Sequence, residues 1–227
     1  VEPLLQAGNA RYNSEKDIPE ILPVFPLSGA LLLPGGRMPL NIFEPRYLAM
    51  IDAVLPKHRL VGMIQPALDG SVGEDGRPNL CDVGCLGRLT SFAETGDGRY
   101  LISLQGVCRF RLDGEQPVRT PFRQARILPF VTDLDPAADT SEPDRPALLR
   151  AFQAYLHAND LDADWPSIRR TDNASLVNAL SMMAPYGPAE KQALLEATDL
   201  KARAETLIAI TEMALAKEGK DVGNSIQ

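Results

Sequence analysis

The chain has 227 residues, 44% hydrophobic and 23% charged, with a mean hydropathy of −0.12, which excludes a polar disordered chain and suits one or two ordinary globular domains. No apolar run approaches the roughly 20 residues that cross a bilayer, and the opening "VEPLLQAGNARYNSEKD" lacks the basic-then-apolar layout of a secretory leader, so a cytoplasmic protein is expected. The formal charge of −7 is uneven: residues 1–131 carry 14 basic and 14 acidic side chains, leaving 9 and 16 for the remainder, so no general phosphate-binding field is expected.

Residues 1–17 show no clear period and read as a flexible end. Leu31, Leu32 and Leu33 read as the end of a buried strand, Pro34-Gly35-Gly36 as a turn, and "MPLNIF" as a second extended piece. Pro45 suits the first turn of a helix with Glu44 at its cap, where the helix dipole favours a carboxylate; Tyr47, Leu48, Ile51 and Leu55 give that helix an apolar face. "HRLVGMIQP" is a further strand, bounded by Pro66.

Cys81 and Cys85 would stand about 13 Å apart on an extended chain, at about 3.3 Å per residue, which is too far to bridge. With Cys108 they read as reduced thiols. Cys81, Cys85 and His58 fall short of a four-ligand zinc set with recognisable spacing, so neither metal nor cofactor is expected.

"RYLISLQGVCRFRL" is the plainest strand. Tyr100, Ile102, Leu104, Cys108, Phe110 and Leu112 share one parity with Gly106 among them, and the other parity is polar except for Leu101 and Val107. Gly106, lacking a side chain on the inward face, suits a sharp bend or bulge. Gly96, Asp97 and Gly98 turn the chain between this strand and "GCLGRLTSFAE", giving an antiparallel hairpin. Asp113-Gly114 and Pro117 bound the last strand, "FRQARILPF". Short strands around one long bent one predict a small, partly closed barrel.

After Pro136 the period becomes helical. "DTSEPDRP" is a polar connector, followed by Leu148, Leu149, Phe152 and Leu156, then Leu176, Val177, Leu180 and Met183, then Leu207, Ile208, Thr211 and Leu215 at helical spacing. Asp172 or Asn173 caps the second of these helices, Pro185 and Gly187 stop it, Pro188 opens a short helix "PAEKQALLEA", and Thr198 or Asp199 caps the last. The expectation is four helices in this part and a loose tail, "KEGKDVGNSIQ".

Three stretches carry a resemblance. "LPVFPLSGALLLPGGRMPLNIFEPRYLAMI" resembles the start of the N-terminal, substrate-binding domain of Lon-type proteases; "GCLGRLTSFAETGDGRYLISLQGVCRFRL" resembles the family's next signature, and specifically that of its stand-alone bacterial branch; "GPAEKQALLEATDLKARAETLIAI" is similar to the helical end, with its Lys-Gln-x-Leu-Leu-Glu core. Spanning roughly residues 18 to 216, the resemblance implies an α+β fold. A PUA-like, mostly antiparallel β pseudo-barrel over 18–131 is followed by a helical bundle over 144–216, with 1–17 and 217–227 as flexible ends. A complete Lon protease carries an ATPase module and a Ser-Lys protease module after this region. No G-x-x-x-x-G-K-[ST] occurs here, since Gly219-Lys220 is followed by Asp221, and no G-x-S-x-G occurs either. The expectation is therefore a chain of the stand-alone branch that performs no catalysis, because function belongs to the site and not to the fold.

The Glu44 and Arg46 pair reads as a helix cap plus a buried or half-buried salt link between helix and barrel rather than as a reactive acid and base. The resemblance implies unfolded or extended protein segments as the ligand, with an ATP-dependent protease as a candidate partner. Met38, Phe43 and Tyr47, with Leu101 and Val107 on the long strand, are the candidate peptide contacts, while Glu44, Pro45, Arg46 and Gly106 are structural. Two rivals stand beside this reading: an adaptor that docks on one partner through the acidic helical part, and an RNA-binding protein using Arg109, Arg111, Arg119, Arg123 and Arg126, which the overall acidity disfavours.

Overall fold

The fold is described from a computed structural model for residues 5–135 and 137–224. It begins with two short strands, β1 (Leu5–Ala7) and β2 (Ala10–Tyr12), paired antiparallel across a turn in which Gly8 takes φ 57°. Residues 5–17 are thus not the flexible end expected from the sequence; residues 1–4 of that expectation lie outside the described residues. The Gln105 side chain clamps the hairpin, its Nε2 donating to the Gln6 carbonyl at 3.2 Å and its Oε1 accepting from Gly8 N–H at 3.3 Å. Ala7 and Tyr12 are buried in one cluster with Val107, Cys108 and Phe110.

The barrel follows: β3 (Ile21–Pro26), β4 (Arg37–Ile42), helix α1 (Pro45–Val54), β5 (Leu60–Ile64), β6 (Val83–Glu94), β7 (Tyr100–Glu115) and β8 (Gln124–Pro129). The pairings run β7-β6-β5-β3-β8 and return from β8 to β7, closing a ring in which only β3 with β5 is parallel. β7 serves twice. Its residues 100–105 pair with β4 and its residues 110–115 with β8, while β6 runs along its other side. Asp113-Gly114 therefore sits inside β7 as an irregularity of register, not as the boundary expected from the sequence. β4 is the outer strand, and Pro39 at its middle has no N–H to give.

Closure depends on a bend in β7. Leu86 pairs with Cys108 and Gly87 with Gly106, which leaves Val107 as the extra residue of a bulge. Gly106 is where the Leu33–Gly36 turn crosses the strand: its N–H donates to the Gly36 carbonyl at 2.9 Å and its carbonyl accepts from Gly35 N–H at 3.0 Å. A Cβ at this position would collide with the Leu33 carbonyl oxygen. The bend expected at Gly106 is present, and so is the turn at Pro34-Gly35-Gly36. Leu31, Leu32 and Leu33 are buried as expected but pair in no ladder, because packing on every side, not strand pairing, holds them. In α1, Glu44 is the N-cap residue and Pro45 the first helical position; Tyr47, Met50, Ile51 and Val54 form the buried face, and Leu48 and Leu55 are only half-buried.

The second part holds five helices among the described residues, where the sequence suggested four: α2 (Arg145–Ala158), α3 (Trp165–Arg170), α4 (Asn173–Met183), α5 (Pro188–Glu196) and α6 (Leu200–Asn224). At six residues, α3 is too short to display a period. Aspartates begin four of them. Asp144, Asp164 and Asp172 accept the N–H of Ala147, Ser167 and Ser175, and Asp199 accepts that of Ala202 at 2.8 Å. The backbone of α6 stays helical to Asn224, so 217–224 are not the expected loose tail; the last three residues lie outside the described ones. Barrel and helices share one core, in which Phe25, Met50 and Leu104 pack in the same cluster as Leu176, Leu194 and Leu207.

Replacing Gly106 with alanine is expected to cost about 2–3 kcal/mol, as overpacking against fixed backbone does; chemical denaturation checks it, and an unchanged midpoint would contradict the close approach. Backbone and side-chain hydrogen bonds from Ser175 hold the Asp172 carboxyl below the usual aspartate range. A lowered folded-state value gives stability that is present above the unfolded-chain value and lost as pH falls through the folded one. Asp172→Ala should therefore cost about 1 kcal/mol at neutral pH, and the melting curves of the two proteins should converge in strong acid.

Candidate functional site

The Lys-Gln-x-Leu-Leu-Glu run lies within α5, and its Gln192, Leu194 and Leu195 dock that helix on the barrel. Gln65 from the end of β5 donates to the Pro188 carbonyl at 2.9 Å and to Gln192 Oε1 at 3.1 Å, while Gln192 Nε2 donates to the Val83 carbonyl at 3.1 Å and to Glu196 at 2.6 Å. Leu194 and Leu195 enter the shared core. At the C-terminal end of α5, where carbonyls lack helical partners, Arg109 from β7 donates to the Leu195 and Ala197 carbonyls, and Arg203 from α6 donates to the Leu194 carbonyl at 3.0 Å.

Arg109 is buried and forked onto Asp133, with two contacts of 2.8 Å. Burial works against its charge, but the Asp133 hydrogen bond and charge more than restore it and hold the guanidinium above its usual value. Among the described residues no carboxylate is in contact with Arg203. Burial first, and then the Arg109 charge, pull it down to about 10. Its other arm donates to Asn178 Oδ1 at 3.2 Å, and Asn178 donates to the Pro34 carbonyl at 3.2 Å, so the Pro-Gly-Gly turn is held by α4.

The structure separates the candidate peptide contacts. Phe43 and Leu101 are exposed, at 62% and 48%. Register places Asn41 opposite Leu101, so Phe43, two residues further along, lies on the same face of the sheet. Met38 is half-buried against the core. Tyr47 is buried, its ring 4.0 Å from that of Phe25 and its hydroxyl donating to the Pro26 carbonyl at 3.3 Å, so it is not a surface contact. Val107 is also fully buried, because the N-terminal hairpin covers the bulge. Glu44 and Arg46 do pair, at 2.8 Å, but both are exposed and two residues apart, so the link is local and does not tie helix to barrel as expected.

Of the five arginines proposed for RNA, Arg111 and Arg119 are exposed and the other three are engaged within the chain. Arg109 is internal, Arg123 pairs with Glu115, and Arg126 faces Glu20 and Asp113. Cys81, Cys85 and Cys108 are free, and burial pushes the thiols of Cys85 and Cys108 well above the ordinary range. Among the described residues no group of three or more His, Cys, Asp or Glu side chains is gathered for a metal ion, and no helix is long and apolar enough to cross a membrane.

A second apolar surface lies in the helical part. An open groove of about 650 Å³ runs between α2, α3, α4 and α6, with Phe152, Tyr155, Leu180 and Tyr186 on its walls and Leu161 and Met183 at its edge, 52% and 81% exposed. The chain ending of α2 places Leu161. Leu161 N–H donates to the Leu156 carbonyl at 2.9 Å and Asp160 N–H to His157 at 3.4 Å, a reversal that requires Asp160 to adopt φ 51°. The tyrosine wall is fixed by a 2.7 Å hydrogen bond between the Tyr186 and Thr211 hydroxyls, and Phe152 and Trp165 stack obliquely at 6.2 Å. Sequence reading placed Phe152, Leu180 and Met183 at helical spacing on the apolar faces of their helices. That Met183 remains outside was not legible, because the missing neighbour is α3, which gave no signal.

A model of the "ATP-dependent protease La (LON) substrate-binding domain" matches residues 21–212. Lon protease 2 of Myxococcus xanthus is 24% identical over 202 residues, covering 86% of this chain and 24% of that protein; Lon protease of Parabacteroides distasonis is 28% identical over 208 residues, covering 84% and 24%. The chain thus spans about a quarter of the length of these curated relatives. The crystal structure of a Lon N-terminal domain protein from Xanthomonas campestris superimposes with a TM-score of 0.58 at 23% identity, over 83% of this chain and 97% of that one. The N-terminal domain of Mycobacterium avium complex Lon protease gives 0.57 at 16%, over 85% and 98%. These likenesses establish the α+β fold.

Removing Arg109 leaves Asp133 buried without its partner, so Arg109→Ala should lose about 3–5 kcal/mol, measured by urea denaturation. Asp160→Gly should instead gain about 1 kcal/mol, since glycine enters the left-handed region without the Cβ penalty; a lowered melting temperature would contradict the geometry assigned to this chain reversal.

Proposed function

Because the chain belongs to the family of the ATP-dependent protease La (LON) substrate-binding domain, we propose that it is a noncatalytic module that binds exposed apolar or extended segments of other polypeptides. The observation that carries this reading is the open groove of about 650 Å³ on the helical part, whose walls are aromatic and aliphatic. Grooves of this kind bind polypeptide by burying a few apolar side chains, with orientation supplied by a small number of polar groups. Phe43 and Leu101 offer a second, smaller apolar contact on the barrel. Such contacts are sequence-tolerant and weak one at a time, as suits capture of unfolded chains. In this reading the protein works in the cytoplasm and hands what it holds to an ATP-dependent protease.

Fluorescence anisotropy with labelled apolar and polar peptides tests the proposal. Affinity should rise with apolar content, and Met183→Asp should weaken it by about tenfold, the scale of one well-placed apolar contact. Because Met183 is exposed, the substitution leaves folding intact. Phe43→Ser and Leu101→Ser should weaken longer peptides and spare short ones. Binding that ignores apolar content would sink the reading.

A further inference from the structure

We infer that the groove on the helical part selects apolar segments flanked by lysine or arginine, a refinement that rests on the peptide-binding reading above. Among the residues lining the groove, the charged ones are Asp162 and Asp164, and none is basic. Both lie between α2 and α3, next to the exposed Leu161. Asp164 caps α3: one carboxylate oxygen accepts the Ser167 N–H at 3.2 Å and the other the Ser167 hydroxyl at 2.5 Å, and these bonds keep it ionised. Asp162 is exposed and, among the described residues, engages no hydrogen bond or ion pair, so its charge is available to a ligand.

An apolar segment settling between Leu161 and Met183 brings its flanking residues to this edge. A flanking ammonium or guanidinium meets two carboxylates there, and a flanking carboxylate is repelled by both. Arg170 stands behind Asp164, its Nη2 donating to the Ser167 hydroxyl at 3.4 Å, so Asp162 supplies the larger share of the field at this edge. The walls are low-dielectric and focus it toward the groove.

The test uses the full chain and three peptides that share one apolar core and differ only in flanks of lysine, serine or glutamate. At low ionic strength the lysine-flanked peptide should bind about tenfold more tightly than the glutamate-flanked one, from two exposed charge pairs made or opposed. That gap should narrow at high salt, and Asp162→Lys should close it. Equal binding of the three, or a gap unchanged by Asp162→Lys, overturns the selection while leaving the groove as a peptide site. Failure of all three to bind overturns the underlying reading as well. If sedimentation shows a dimer that Met183→Asp dissociates, the groove belongs to a second copy of the chain, and the inference falls.

Discussion

A buried guanidinium organises this molecule. Arg109 leaves the middle of the longest strand, is neutralised by Asp133, and uses its remaining N–H groups on carbonyls at the end of α5. Those carbonyls have no helical partners and carry the negative end of the helix dipole, so the same cation satisfies a carboxylate and a helix terminus. Arg203 reaches the neighbouring Leu194 carbonyl of the same helix from α6. Asp133 contacts Arg109 and the charge of Asp139 acts on both arginines, while the α5 carbonyls take their remaining donors. If α5 lifts from the barrel, three elements lose their buried partners together, which makes barrel and helices cooperative.

The Gln65 and Gln192 pair does a related job at the other end of α5, where each amide is shared between a backbone carbonyl and the opposing side chain. Between these two polar anchors lies apolar packing by Leu194 and Leu195. The helix is thereby fixed at both ends and along its face. The groove between α2, α3, α4 and α6 inherits this rigidity, because α4 and α6 are both joined to the α5 end through Arg203 and Asn178.

Much of the barrel was legible in the sequence because its strands are long enough to alternate. Tyr100 to Leu112 displayed its parity, and Gly106 announced the bend by lacking a side chain where one was due. The elements that escaped are those whose stability comes from elsewhere. A pair of three-residue strands cannot show a period, yet Gln105 holds them in place from across the sheet. Their presence then inverts the expected exposure of Val107, since parity shows which face a side chain takes but not whether that face is covered. Tyr47 stood both on the apolar face of α1 and among the candidate contacts, and Phe25 beneath it decides for the first. Caps were the most transferable signal, because an aspartate ahead of a helix acts within a few residues. The groove was the least, because it is the space left where α3 is too short to fill the bundle.

Ring closure through β7 and β8 leaves β4 as the outer strand of the six-stranded sheet, and its central residue is Pro39. An open strand edge is a template on which other extended chains polymerise. The pyrrolidine ring interrupts the row of donors, so an incoming strand cannot zip along the edge. Under the proposed function, contact with a client is thus steered toward side-chain surfaces and away from a backbone ladder that would seed aggregation.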